Sequence, residues 1–252
     1  MASAKPLRQL QARLRTEDSK TENSQLPTIF ALTQPNIPHM LKVHMLPFNP
    51  FQENTVLAWD ETGDCLVVDP GCSTSSEEQA LSAFIESNGL NPVRLINTHC
   101  HIDHVYGNGY VAQKWNLGLE IHELEIPVLE RAAAGASLFG APTPNPSPEP
   151  SRFIQPGETI TVGNTSYQVL FVPGHCPGHI ALYSAAENVV ISGDVIFYGG
   201  GYGRTDLPGG DAPTLAKSIR EVMLPLPPET TVYPGHGPTT TIGDERNIWM
   251  NP

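Results

Sequence analysis

Just after an apolar run at Val93–Ile96, the chain places three histidines and an aspartate in the order H-x-H-x-D-H: His99, His101, Asp103 and His104. The spacing restricts the backbone that can carry it. An extended segment turns residues two apart to the same side, so His99 and His101 can share one metal ion. Asp103 and His104 lie just beyond and can turn toward a second. Imidazole and carboxylate donors together suit Zn, Fe, Mn or Co better than Ca or Mg. Val93–Ile96 predicts a strand that delivers the motif at its carboxyl end, where strand-and-helix folds commonly collect their sites.

Further donors follow strand ends elsewhere. Lys42–Leu46, Thr55–Trp59 and Cys65–Val68 predict strands, with a hairpin turn at 60–64. Asp69 ends the third of them in Asp69-Pro70-Gly71. Two roles are open to it, turn former or a carboxylate that hydrogen-bonds a ligating imidazole. Ser75 and Ser76 before Glu77 and Glu78 predict a helix closed by Asn88-Gly89. Segments 104–115 and 123–134 predict helices flanking a strand at Leu119–Ile121, and His122 falls outside any ligand spacing. Residues 135–150 have the composition of an exposed loop at a cleft mouth.

A hairpin at Thr159–Val162 and Tyr167–Val172 runs into Pro173-Gly174-His175-Cys176-Pro177-Gly178-His179. His175 is the candidate third ligand of the first metal, and His179 is expected to support that site without ligating it. Strands at Ile180–Ser184 and Val189–Ser192 follow, and Asp194 stands at the end of the second, where its carboxylate can bridge two ions. The glycine-rich segment 196–203 lacks G-K-[ST], which argues against a phosphate loop. Arg204 and Asp206 suggest an ion pair, 211–224 a helix, and Thr231–Tyr233 a strand ending in Pro234-Gly235-His236-Gly237. Cys100 and Cys176 adjoin candidate ligands. With imidazoles filling the first site, both are expected to be small buried side chains.

Composition excludes several classes. No apolar run in the 252 residues approaches the ~20 needed to span a bilayer, and no secretory signal pattern is present. The four cysteines show no C-x-x-C spacing, which points to a reducing, cytoplasmic setting. Residues 1–40 carry five basic and three acidic side chains. They are expected to be a disordered extension or to precede a true start at Met40 or Met45; a weak transit peptide is the other reading, from Leu7, Leu10 and Leu14 among Arg8, Arg13 and Arg15. The remaining segment, 41–252, is the expected functional domain. Its nine basic against 23 acidic residues disfavour a nucleic-acid partner. A homodimer is the default assembly.

Asp69-Pro70-Gly71, the H-x-H-x-D-H segment, Gly174-His175, Gly193-Asp194 and Gly235-His236-Gly237 occur in that order. Together they resemble the metallo-β-lactamase superfamily across roughly residues 41–252. The segments 203–211 and 234–246 look closest to small single-domain members of its glyoxalase II-like (hydroxyacylglutathione hydrolase-like) branch. The resemblance implies an α+β fold, a four-layer αββα sandwich with the metal site at one edge between two sheets. It implies two divalent metal ions, Zn first, with Fe or Mn as alternatives. His99, His101 and His175 would hold one ion, Asp103, His104 and His236 the other, and Asp194 would bridge them. The implied reaction is cleavage of a small-molecule thioester, S-D-lactoylglutathione to D-lactate and glutathione, with Asp103 orienting the attacking hydroxide. A serine-hydrolase route is disfavoured because no G-x-S-x-G occurs.

Full-length glyoxalase II enzymes grip glutathione with a C-terminal helical domain that does not follow His236 here, so the thiol carrier stays open. Tyr198, Tyr202 and Arg204 are candidates for the substrate pocket, with loop packing the alternative for the tyrosines. The competing reading is a mononuclear iron persulfide dioxygenase of the same fold, holding iron through His99, His175 and Asp194. That branch would end in an Ala-His-Asp-Tyr-like motif in place of Pro234-Gly235-His236-Gly237.

Overall fold

The computed structural model describes residues 40–139, 143 and 145–250. Apart from Met40, the expected N-terminal extension lies outside the described residues. Strands β1 (Lys42–Phe48) and β2 (Glu53–Trp59) pair antiparallel through a tight connection. Asn49 and Gln52 in that connection take φ of 51° and 57°, a left-handed backbone that asparagine tolerates better than most residues. Strand β3 (Asp64–Val68) joins antiparallel to β2, and β4 (Asn91–Ile96), β5 (Leu119–Ile121) and β6 (Pro150–Phe153) add in parallel. The sheet order is the chain order, β1 to β6.

The second sheet starts with β7 (Thr159–Val162), β8 (Thr165–Phe171), β9 (Ile180–Ser184) and β10 (Val189–Gly193), each antiparallel to the one before. Strand β11 (Thr231–Pro234) lies parallel to β10, and β12 (Thr240–Thr241) closes the edge.

Side chains alternate along each strand and so divide between two faces. Val56, Ala58, Leu66 and Val68 of the first sheet pack with Ile160, Tyr167, Val169, Ile180 and Leu182 of the second. Their neighbours Leu57, Cys65 and Val67 face the other way, against Leu81 and Ile85 of α1 (Ser75–Ser87). On the far side, Ala181, Tyr183, Val190 and Val232 meet Leu215 of α5 (Ala212–Ser218) and Ile242 of α6 (Ile242–Met250). The result is the expected αββα order. With both faces of the sheets covered, β9 and β10 are buried along their whole length.

Parallel pairing positions the site. Strands β3 and β4 run side by side in one direction, so Asp69 and the loop that begins at Asn97 leave the first sheet at the same edge. Strands β10 and β11 do the same in the second sheet, bringing Asp194 beside Gly235 and His236.

Several elements depart from the sequence reading. The helix expected over 104–115 is two, α2 (Ile102–Val105) and α3 (Asn108–Trp115). Gly107 separates them, because its N–H donates to the Pro70 carbonyl at 2.7 Å and a Cβ there would stand 2.4 Å from Cys72 Sγ. Helix α4 (Ile126–Phe139) runs past Ala134 into the predicted loop, whose far end forms β6. The helix expected over 211–224 stops at Ser218 and passes into a π turn, Ile219–Met223. The cap of α1 is Thr74: its hydroxyl accepts the Glu77 N–H, while Glu77 accepts from the Thr74 backbone.

Candidate metal centre

The loop after β4 bends at Thr98 and His99 and leads to His101, the extended residue before α2 (φ −63°, ψ 154°). His99 and His101 leave it together, and His175 arrives from the loop between β8 and β9. Nδ1 of His101 is 2.8 Å from Nε2 of His175, which is 3.2 Å from Nε2 of His99. Three ring nitrogens thus converge on one point. A second group is built by α2 and the end of β11: Nε2 of His236 is 3.2 Å from Asp103 Oδ2, and Nε2 of His104 is 3.8 Å from the same oxygen. Asp194 stands between the groups. Its carboxylate lies 3.4 Å from His175, 3.5 Å from His104 and 3.5 Å from His236.

Hydrogen bonds behind the rings fix their orientation. Asp69 accepts from the Thr98 N–H at 2.7 Å and the Thr98 hydroxyl at 2.6 Å, and its Oδ2 lies 3.1 Å from His104 Nδ1. These contacts place the Asp69 carboxylate directly behind the His104 ring. Nδ1–H of His175 donates to the Arg204 carbonyl at 2.6 Å, and Nδ1–H of His236 to that of Phe51 at 3.1 Å. His179 is fully buried, and its Nε2 accepts the Asp194 N–H at 3.1 Å. His122 stacks on Phe171 at 5.0 Å, away from both groups.

Burial disfavours the imidazolium and lowers His99, with its neighbouring imidazoles adding to the effect. Burial likewise pushes His101 down to about 3 and lowers His175. These rings are neutral at physiological pH, the form that binds metal. The second group behaves differently. Burial opposes a charge on His104, but Asp194 and Asp103 outweigh it and raise the ring well above its ordinary value. Burial would raise the Asp194 carboxyl, yet His104, His175 and His236 hold it well below the usual range. A positive charge is therefore favoured between these carboxylates.

The donor set fits divalent transition metals. His104 Nε2 and Asp194 Oδ1 are buried without a hydrogen bond of good geometry, and buried polar atoms of this kind call for a partner. Among the described residues the grouped ligand atoms are His99, His101, His175 and Cys176; Asp103, His104 and His236; and Asp69, His99 and His104. Cys176 is fully buried, with its Sγ 3.3 Å from His101 Nε2, and it falls in one group of donor atoms with His99, His101 and His175.

A cavity of about 500 Å³ opens onto the cluster, with His101, Asp103, His175, Asp194 and His236 in its wall. The rest of the wall is mainly apolar, including Phe51, Ile102, Val128 and Phe197, with Arg131 and Arg204 as its cations. Arg204 lines this cavity and forms the expected pair with Asp206, two contacts of 2.7 Å. The tyrosines do not line this cavity. Tyr198 is 65% exposed and Tyr202 54% exposed, the latter against Trp249 at 5.5 Å; Phe197 is the aromatic turned inward.

Sequence reasoning passed over two buried carboxyls. Glu53 is fully buried, 3.8 Å from His104 Nδ1, and burial raises it well above its ordinary value. Glu125 is also fully buried and accepts backbone N–H groups from both histidine loops.

A family model described as the metallo-beta-lactamase superfamily matches residues 48–236. Hydroxyacylglutathione hydrolase GloC of Haemophilus influenzae is 36% identical over 216 residues, covering 84% of this chain and 99% of its own. Among solved structures, the B3 metallo-beta-lactamase BLEG-1 superposes with a TM-score of 0.75 at 33% identity, covering 82% of this chain and 97% of that one. TTHA1623, solved in a di-iron-bound form, gives a TM-score of 0.72 at 37% identity, covering 81% and 96%.

Proposed function

The chain belongs to the metallo-beta-lactamase superfamily, and from that premise we propose that it is a binuclear, metal-dependent thioester hydrolase of the hydroxyacylglutathione type. The observation that carries the reading is the Asp194 carboxylate, within 3.5 Å of His175 on one side and of His104 and His236 on the other. In this reading His99, His101 and His175 hold one ion, Asp103, His104 and His236 the other, and Asp194 serves both. Zinc is the proposed metal, with iron the alternative that the di-iron form of TTHA1623 supports.

Bound metals supply the Lewis acidity that activates water near neutral pH and polarises the scissile carbonyl. The chain's own groups do the rest. Asp103, at the cavity wall beside His236, orients the nucleophile. Asp69 and the carbonyls of Arg204 and Phe51 hold the imidazoles in one orientation. The apolar wall limits competing water around the carbonyl, and Arg131 offers its charge to an anionic thiol carrier.

Similarity to GloC favours S-D-lactoylglutathione, yielding D-lactate and glutathione. We assign this activity to residues 41–252 acting in the cytoplasm. No described helix is long and apolar enough to cross a membrane. A mononuclear iron dioxygenase would leave Asp103, His104 and His236 without an ion. The buried, unsatisfied His104 Nε2 disfavours that reading. Elemental analysis together with lactoylglutathione hydrolysis tests the proposal. Two metals per chain with thioester cleavage are expected; one iron with persulfide-dependent oxygen uptake overturns it.

A further inference from the structure

Glu125 sits in the turn before α4, remote in sequence from every candidate ligand, yet it joins the two loops that carry the first donor group. Its Oε2 accepts the Cys100 N–H at 2.8 Å, between His99 and His101, and its Oε1 accepts the Gly178 N–H at 2.7 Å, between His175 and His179. The approach is close because residue 178 is glycine: a Cβ there would stand 3.0 Å from Glu125 Cγ and 3.0 Å from its backbone nitrogen. The Cys176 side chain also acts on the same carboxyl and lowers it. Cys176 Sγ in turn lies 3.3 Å from His101 Nε2.

We infer that Glu125 and Cys176 form a positioning chain that selects the His101 tautomer and holds the two histidine loops at ligand distance. The thiol S–H donates to the carboxylate, and the sulfur accepts the Nε2–H of His101. A proton fixed on Nε2 leaves the lone pair on Nδ1, the atom that faces His175 at 2.8 Å. Neither side chain touches substrate in this role. The inference rests on the reading that His99, His101 and His175 hold a metal.

The test uses full-length protein, metal-free for the tautomer and titrated with zinc for the affinity. Zinc affinity is measured by competition with a chromophoric chelator, and the protonated nitrogen of His101 is read by long-range ¹H–¹⁵N NMR. Cys176→Ala and Glu125→Gln are expected to weaken one of the two zinc steps by roughly 10- to 100-fold and to lose the single Nε2–H signature. Cys176→Ser, which keeps a donor and an acceptor, is expected to restore both readouts toward wild type. If Glu125→Gln does not fold, the Ala and Ser variants at Cys176 decide. Wild-type zinc affinity and an unchanged His101 tautomer in Cys176→Ala overturn the inference while the metal site stands. A wild-type chain that takes up no zinc overturns the site reading itself, and the positioning chain with it.

Discussion

Nδ1 of His101 and Nε2 of His175 face each other at 2.8 Å, although 74 residues separate them in sequence. Both rings are held neutral by burial. Because Nδ1–H of His175 is given to the Arg204 carbonyl, its Nε2 presents a lone pair toward His101, as a metal ligand must. His101→Ala is therefore expected to lose one metal per chain and Asp194→Ala to weaken both, with hydrolysis down by more than the roughly 100-fold that outer hydrogen-bond partners of a metal ligand cost. Elemental analysis and circular dichroism on the same samples check this. Full activity in either folded variant contradicts the binuclear model.

Gly235 permits the second group to close. A Cβ at that position would stand 2.2 Å from Asp194 Oδ1 and 2.8 Å from His104 Cε1. Gly235→Ala must displace both side chains while changing no ligand, and we expect a 10- to 100-fold loss of metal affinity, of the order found when supporting contacts are removed. Gly157→Ala is the control. That residue has φ of 80° with nothing within 4 Å of the added methyl, so the change strains the backbone by about 1 kcal/mol or more and leaves metal content alone. Equal metal content in the two variants removes the steric argument.

Arg131 is the cavity cation available to substrate. Arg204 is engaged with Asp206, whereas Arg131 makes no ion pair among the described residues. A charge-assisted hydrogen bond contributes about 1.5–3 kcal/mol. Arg131→Gln is accordingly expected to raise KM for an anionic thioester by about tenfold or more while kcat stays within about twofold, the pattern of lost uniform binding. Steady-state kinetics decide it. An unchanged KM removes Arg131 from substrate recognition.

Much of this architecture is legible in local sequence because the physics is local. Val56 and Ala58 alternate with Leu57, so the pleat alone assigns them to opposite faces. The candidate ligands were visible for a similar reason: each stands just after an apolar run, where a strand hands over to a loop. What escaped depends on contacts between distant segments. Glu125 reads as an ordinary acid near a helix start, since its partners, the Cys100 and Gly178 N–H groups, are 25 and 53 residues away. Segment 104–115 has helical composition throughout, and only the approach of Gly107 to Pro70 and Cys72 divides it. In the glycine-rich loop, composition does not say which aromatic turns inward; Phe197 does, and Tyr198 and Tyr202 do not.

Asp60 offers a test of the fold that does not involve metal. It follows β2 in the first sheet and accepts from Asn164 N–H at 2.7 Å and Thr165 Oγ1 at 3.0 Å, at the β7–β8 turn of the second. Thr62 donates to it as well, through its N–H at 2.9 Å and its hydroxyl at 2.6 Å. Burial alone would raise this carboxyl, but the four hydrogen bonds outweigh it and hold it below its ordinary value. A carboxyl depressed in the folded state adds stability that is fully present above its unfolded pKa of about 3.9. That stability is lost as pH falls through the folded value. Asp60→Asn turns an NH₂ toward donors and removes the charge, so a loss of roughly 1–3 kcal/mol is expected at pH 6 to 7. Denaturant titrations of both proteins with metal removed should show this gap narrowing below about pH 4, because the wild type then forfeits the same interaction. A gap that stays constant from neutral pH into that acid range would mean the ionised Asp60 does not tie the two sheets together.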